Sequence, residues 1–274
     1  MAGKEDLLEK KKAELETVKN LSNAKYDFDE EVDTEEKKPI FSVYGHKNDG
    51  KTMITYGIPW KKDKVVVFSF DNKSSRPLEY PFIKNAGITI KVFNAIKLYD
   101  ISSQDSLLVT SEAVYDYVNQ LLEQSAIKFQ PDWIVYDGTE VLSGILEQVM
   151  RKRNNLRPYQ GIANFSAWKE RKQYVDDIHN KSIRIAKKGV IYTMYTEKDE
   201  VIDKDGTILV KKDVPKWIGS IMRETDVVIR ATADFIDENK KYYATVESSK
   251  LLEYPTGKYD VTDVRFRDVI DKAL

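Results

Sequence analysis

The chain contains no cysteine and only two histidines, His46 and His179. Without cysteine there can be no disulfide, no thiolate zinc site and no cysteine nucleophile. Two imidazoles are too few to build an all-protein transition-metal centre. No apolar run approaches the ~20 residues that span a bilayer, and the charged N-terminus lacks the core of a signal peptide. A soluble cytoplasmic protein with no membrane partner is therefore expected. Charge of one sign is also missing: 44 Lys and Arg face 45 Asp and Glu, for a net charge of −1. Such a balance provides no global field for nucleic acid, so any contact of that kind must be a local basic patch. No internal repeat or low-complexity segment is present. What remains is a chain of 274 residues, 41% hydrophobic with 16 tyrosines, long enough to bury one large core with or without an appendage. The high Lys and Glu share without cysteine is compatible with a hot habitat.

The most informative stretch is Gly45-His46-Lys47-Asn48-Asp49-Gly50-Lys51-Thr52, which fits GxxxxGK[ST] without a gap. In that pattern glycines let the backbone curl so that its N–H groups, continued by Met53 at the helix start, point at phosphate oxygens. Lys51 reaches the β- and γ-phosphates, and the Thr52 hydroxyl holds Mg²⁺ at the start of a helix. The flanks agree, with an apolar strand at 39–44 before the loop and a short helix after it, ended by Gly57 and Pro59. The competing reading is an ordinary Gly/Asn/Asp turn in a charged chain. ATP or ADP with Mg²⁺ is the expected ligand.

Along the chain, residues 1–37 read as a charged helix (4–20) followed by an acidic linker, either a solvated arm or a docking arm for a neighbouring subunit. Residues 38–274 read as one domain. Lys64 to Phe70 is a near-continuous apolar strand, as inside a parallel sheet, and Ile88 to Phe93 is another strand. An amphipathic helix covers 111–124. Trp133 to Asp137 is a strand, helices cover 139–152 and 163–188, and Gly189 to Tyr195 is a further core strand. A hairpin is predicted over 200–211, turning at Asp205-Gly206, and a second over 226–248 about Glu238-Asn239. Alternating β and α followed by antiparallel strands implies a three-layer α/β fold with a mostly parallel central sheet and an antiparallel C-terminal extension.

A phosphate loop needs an acid near its metal, at the end of a buried strand. Asp137 meets that requirement after Trp133-Ile134-Val135-Tyr136; its alternative role is to cap the helix starting near Thr139. Glu140 either orients a water or is a first-turn helix acid. With two strands between the loop and Asp137, the order GHKNDGKT, WIVYDGTE, GVIYTMY, ATVESSK resembles the RecA superfamily of P-loop ATPases over residues 38–252. It looks most like the compact RecA-like ATPases of phages and archaeal viruses, which include single-strand annealing proteins.

That resemblance implies an ATPase acting on DNA in recombination, annealing or replication of a mobile, virus-borne element. It also implies a homo-oligomeric ring or filament and single-stranded DNA as a partner. A genome-packaging motor, or a nucleotide-gated assembly protein with little turnover, are the alternatives. It places a water-activating carboxylate after the second strand, where Asp71 stands and the usual glutamate two positions later is replaced by Lys73. A polar γ-phosphate sensor is implied among Thr193, Tyr195 and Thr196. Lys250, or else Arg223, is implied as a cation delivered to a neighbour's site. From composition, Arg151, Lys152, Arg153 and Arg157 with Tyr159 form the best single-strand patch, with Lys204, Lys211 and Lys212 next. The alternative is that these cations favour a helix C-terminus and face solvent. Trp60, Trp168 and Trp217 read as core aromatics.

Overall fold

Strands that are apolar on both sides are the basis of this fold. β1 (Ile40–Tyr44), β2 (Lys64–Ser69), β4 (Trp133–Asp137) and β5 (Gly189–Met194) are buried almost throughout, which only a sheet covered on both faces permits. The computed structural model describes residues 37–274, apart from 72–73, 163–164, 203–207, 217, 219–220 and 237–238. Of the sequence-based expectations, the N-terminal helix and acidic linker, both hairpin tips, Lys73, Lys204 and Trp217 lie outside the described residues.

β3 (Thr89–Asn94) pairs parallel to the outer side of β2, and β8 (Val227–Ile236) parallel to β1. β9 (Asn239–Ser249) and β10 (Gly257–Asp260) continue the sheet in antiparallel fashion. The eight strands run in the order β10-β9-β8-β1-β5-β4-β2-β3. β5 thus separates the loop-bearing strand β1 from β4, which ends in Asp137. A second, two-stranded sheet is formed by β6 (Thr196–Ile202) and β7 (Ile208–Pro215).

Strand alternation sorts side chains to two layers. Ile40, Tyr44, Val66, Phe68, Ile134, Tyr136, Val190 and Tyr192 face one core. Helices α2 (Gln104–Lys128), α3 (Thr139–Arg153) and α4 (Phe165–Ile185) close over it. Phe41, Val43, Val65, Val67, Val135 and Ile191 face the other. There α1 (Lys51–Gly57) and α5 (Phe266–Ala273) supply Met53, Ile54, Phe266 and Ile270. The result is a three-layer α/β fold with a mostly parallel central sheet and an antiparallel extension, with residues 38–274 in one compact unit.

Phe68, Tyr136 and Tyr192 stack across β2, β4 and β5 with centroids 5.3 and 5.4 Å apart. Buried phenols need partners, and these have them: Tyr136 meets Ser182 Oγ at 2.6 Å and Tyr192 meets His179 Nδ1 at 2.6 Å. His179 is therefore a core residue. Trp168 is partly exposed beside Arg171, and Trp60 lies under the Arg267 guanidinium rather than deep in a core. α2 begins seven residues before the expected start, capped by Ser103, whose Oγ accepts from Ser106 N. β10 and α5 were not anticipated. Among the described residues no helix is long and apolar enough to cross a membrane.

Candidate nucleotide site

At the C-terminal ends of β1, β4 and β5 lies a cleft of about 550 Å³, bordered by the loop 47–52, Asp71, Asp137, Glu140, Thr193, Tyr195 and Tyr242. The loop owes its course to two glycines with different duties. Gly50 adopts φ +83°, the left-handed region, and a Cβ there would stand 2.8 Å from the Tyr242 ring. Gly45 is not left-handed; its constraint is contact, since a Cβ would lie 2.6 Å from the Ala231 carbonyl oxygen on β8. Asn48 also takes a left-handed φ of 71°, which asparagine tolerates better than most residues. Its carbonyl accepts from Lys240 Nζ at 2.8 Å.

Lys51 opens α1 and folds back over the loop, donating to the carbonyls of Gly45 (2.9 Å) and His46 (2.7 Å). Its ammonium also lies 4.3 Å from the Tyr195 ring centroid. Burial pulls its pKa below the ordinary lysine value, opposed by the charges of Glu140, Asp49, Asp137 and Asp71. An ammonium held by carbonyls and a ring face is ready to be taken over by a phosphate, a stronger charge-assisted acceptor.

Thr52, next on α1, donates to Asp137 Oδ2 at 3.0 Å. Asp137 is buried, and hydroxyls surround it: Ser74 donates at 2.6 Å and Thr193 at 2.7 Å. The Gly138 N–H bonds Thr193 Oγ1 at 2.9 Å, so Thr193 is locked between β5 and the end of β4. The capping alternative for Asp137 is not what the geometry shows, because α3 has Gly138 as its N-cap with no side-chain bond. Among the described residues no cluster of three or more His, Asp or Glu is placed to hold a metal alone. Mg²⁺ takes one or two protein oxygens and completes its shell with water and substrate phosphates. A buried carboxylate touching a hydroxyl at the foot of a phosphate loop fits that need.

Glu140 sits in the first turn of α3. Its Oε1 accepts from the Tyr195 N–H, while its buried Oε2 has no hydrogen-bond partner. Desolvation raises its carboxyl to about 7, opposed by its own backbone N–H and then by Lys51 and Lys216, with Asp137 adding a little to the rise.

The structure gathers Lys51, Thr52, Asp71, Asp137 and Glu140 around one cleft. Of the three sensor candidates, Thr193 binds Asp137, Tyr195 faces Lys51, and Thr196 bonds His46 Nδ1 at 2.9 Å. His46 is further held by Asp213 at 3.2 Å, which also pairs with Arg230 at 3.0 Å and with Lys198. The loop is thereby tied to the β6–β7 hairpin. Lys250 is not brought to its own chain's loop. β9 runs antiparallel, so its end lies at the opposite edge of the sheet, where Lys250 Nζ donates to Thr225 O (2.7 Å) and pairs with Asp226 (3.3 Å). Arg223 lies in the turn preceding β8, at that same distant edge.

The basic cluster is largely engaged within the chain. Arg151 is buried and bonds Glu147 and the carbonyls of Arg157 and Gln160. Lys152 and Arg153 pair with Glu112, and Arg153 also covers the Tyr115 and Tyr174 rings. Arg157 and Tyr159 are exposed. Ser74 and Tyr242 were missed in the sequence. Neither belongs to a motif; each arrives through pairing distant along the chain.

No protein-family model and no curated protein matches the chain. Among solved structures it is similar to the crystal structure of a KaiC-like protein from the hyperthermophilic archaeon Pyrococcus horikoshii OT3. The two share 12% identity over 81% of this chain and 84% of that one, with a TM-score of 0.37. So distant an overlap bears on neither activity nor assembly, and the fold description rests on the strand order itself.

Proposed function

We propose that this chain is a Mg²⁺-dependent ATPase of the P-loop class. The observation that carries the reading is the meeting of Thr52 with Asp137 beneath a glycine-shaped loop whose Lys51 is held by carbonyls and a ring face. In it, the N–H groups of 47–53 and Lys51 bind the triphosphate, Thr52 and Asp137 hold the Mg²⁺, and Thr193 keeps Asp137 oriented. When bound, Mg²⁺ neutralises charge on the phosphates.

The test is ATP titration of wild type and of Lys51→Ala with Mg²⁺. Wild type binds; the variant loses at least about a hundredfold in affinity, the scale of a lost buried charge-assisted contact. Native circular dichroism with unchanged affinity in Lys51→Ala would sink the proposal. Asp137→Asn keeps measurable binding and loses Mg²⁺-dependent turnover.

At the finer level, we take the substrate of the motor cycle to be single-stranded DNA bound by a homo-oligomer in recombination, annealing or replication. A cation from a neighbouring copy, Lys250 first, would then complete the site. Packing motors remain the rival enzyme. The internal pairing of Arg151, Lys152 and Arg153 favours a different rival, a nucleotide-gated assembly protein with little turnover. Hydrolysis measured with and without single-stranded DNA separates the readings: stimulation supports the DNA enzyme, and tight binding with negligible turnover supports the switch.

A further inference from the structure

We infer that Glu140, rather than Asp71, is the general base that activates the attacking water; the inference rests on the ATPase reading above. Three observations converge on it. The carboxylate borders the cleft close to Lys51, the residue that addresses the terminal phosphates, so it stands on the reacting side of the loop. It is fixed at one oxygen by the Tyr195 N–H and at its root by the first turn of α3, whereas Asp71 lies in the irregular stretch that follows β2. Groups on rigid elements hold a productive geometry better than groups on loops. Finally, its second oxygen has no hydrogen-bond partner and is closed off from solvent in the ligand-free chain. An orphaned buried acceptor is costly, and a water O–H admitted with the nucleotide would be its missing donor.

The step balances as follows. The water oxygen forms a bond to the γ-phosphorus while the bond from that phosphorus to the β–γ bridging oxygen breaks. The water proton passes to Glu140 Oε2, and ADP leaves with the bridging oxygen. The proton then returns to solvent or phosphate. Neither oxidant nor further reactant is needed. The groups facing Glu140 are Lys51 from α1, Asp137 from β4, Tyr195 after β5 and Lys216 after β7. A largely desolvated acid among them, raised to about 7, retains enough basicity to accept a proton near neutral pH.

The experiment compares Glu140→Gln with Asp71→Asn in the full chain. Four measurements are made: Mg²⁺–ATP affinity by calorimetry, turnover, circular dichroism, and the ligand-free melting temperature at pH 8 and pH 4. Glu140→Gln is expected to bind ATP within a few-fold of wild type, to lose about a hundredfold or more in turnover, and to melt higher than wild type at pH 8. Asp71→Asn is expected to lose at least tenfold less turnover. The inference is overturned if Glu140→Gln turns over at the wild-type rate, if it loses ATP affinity along with turnover, or if Asp71→Asn is the more damaging change. An unchanged or lowered melting temperature at pH 8 would mean that the buried oxygen is already satisfied, and also counts against it. Failure of wild type to bind ATP is a separate result, and removes the ATPase reading together with its base.

Discussion

The two edges of the parallel sheet treat their acids in opposite ways. At the N-terminal edge, an aspartate stands immediately before β2, β4 and β8, and each is answered by donors. Asp63 accepts from Trp133 Nε1 (2.7 Å), Trp60 N (2.8 Å) and Lys188 Nζ (2.6 Å). Asp132 accepts from Lys64 N at 2.8 Å, and Asp226 accepts from Ile40 N at 3.1 Å and pairs with Lys250. At the C-terminal edge, Asp137 is ringed by neutral hydroxyls, and Glu140 keeps an oxygen with no partner. One edge uses charge to fasten strand starts. The other holds charge in reserve, at a cost to stability that a ligand would relieve.

The largest expected effect tests the fastened edge. Asp63→Ala leaves the Trp133 indole N–H buried without its acceptor and Lys188 without its partner. It should destabilise by about 2–4 kcal/mol, discounted from the figure for a fully buried pair because Lys188 reaches solvent. Chemical denaturation measures this. A loss under about 0.5 kcal/mol would erase the distinction between the edges.

Next in size is the opposite sign at the other edge. The Glu140 carboxyl titrates near 7 in the folded protein against 4.5 for the free side chain. Between those values the folded state binds more protons than the unfolded one, so stability falls as pH rises through the window. Glu140→Gln removes that dependence. It should stabilise the ligand-free protein at pH 8 by on the order of 1–2 kcal/mol, with no gain at pH 4. Melting curves at both pH values decide it, and a destabilised variant at pH 8 would place Glu140 with the fastened acids.

Smaller again is Lys250→Ala. Its side chain is half exposed, and its partner Asp226 also holds the β1 N–H, so about 0.5–1 kcal/mol is expected. A loss of turnover without loss of stability would instead favour a role in a neighbour's site. Mixing this variant with Lys51→Ala subunits would then restore part of the activity.

The smallest effect concerns DNA. Arg157→Ala, at an exposed member of the basic cluster, should reduce the log–log salt slope of single-strand binding by at most ~0.7. No change moves the contact to the β6–β7 hairpin, first to Lys211 and Lys212, the second of which is exposed.

These edges were not equally legible in the sequence. The loop and Asp137 were readable because their chemistry is local: eight contiguous residues, and an acid ending an apolar strand. The near-continuous apolar strands of a sheet covered on both faces were readable for the same reason. The fastening aspartates were not, since each acts across 68 to 186 residues of chain. Ser74 was hidden likewise, bonding an acid 63 positions away. Lys250 was read as a cation for a neighbour's site; the β8–β9 hairpin reverses direction and so sets it at the edge away from its own loop. The start of α2 carried a signal that was passed over, Ser103 three residues before Ser106 with an acid in the first turn. In α5 the spacing of Phe266, Val269 and Ile270 was likewise available.

Gly45 has a consequence for descent. The first glycine of the loop answers to the Ala231 carbonyl on the neighbouring strand, while Lys51 reaches no farther in the ligand-free chain than the carbonyls of its own loop and the Tyr195 ring beside the cleft. A lineage that ceased to use nucleotides would be free to replace Lys51 and Thr52 at once, yet would still need glycine at position 45 to close β1 against β8. Dead relatives of this protein should therefore keep the beginning of the motif and lose its end. A search that demands the lysine will pass over them, whereas one that weighs the first glycine by packing will not.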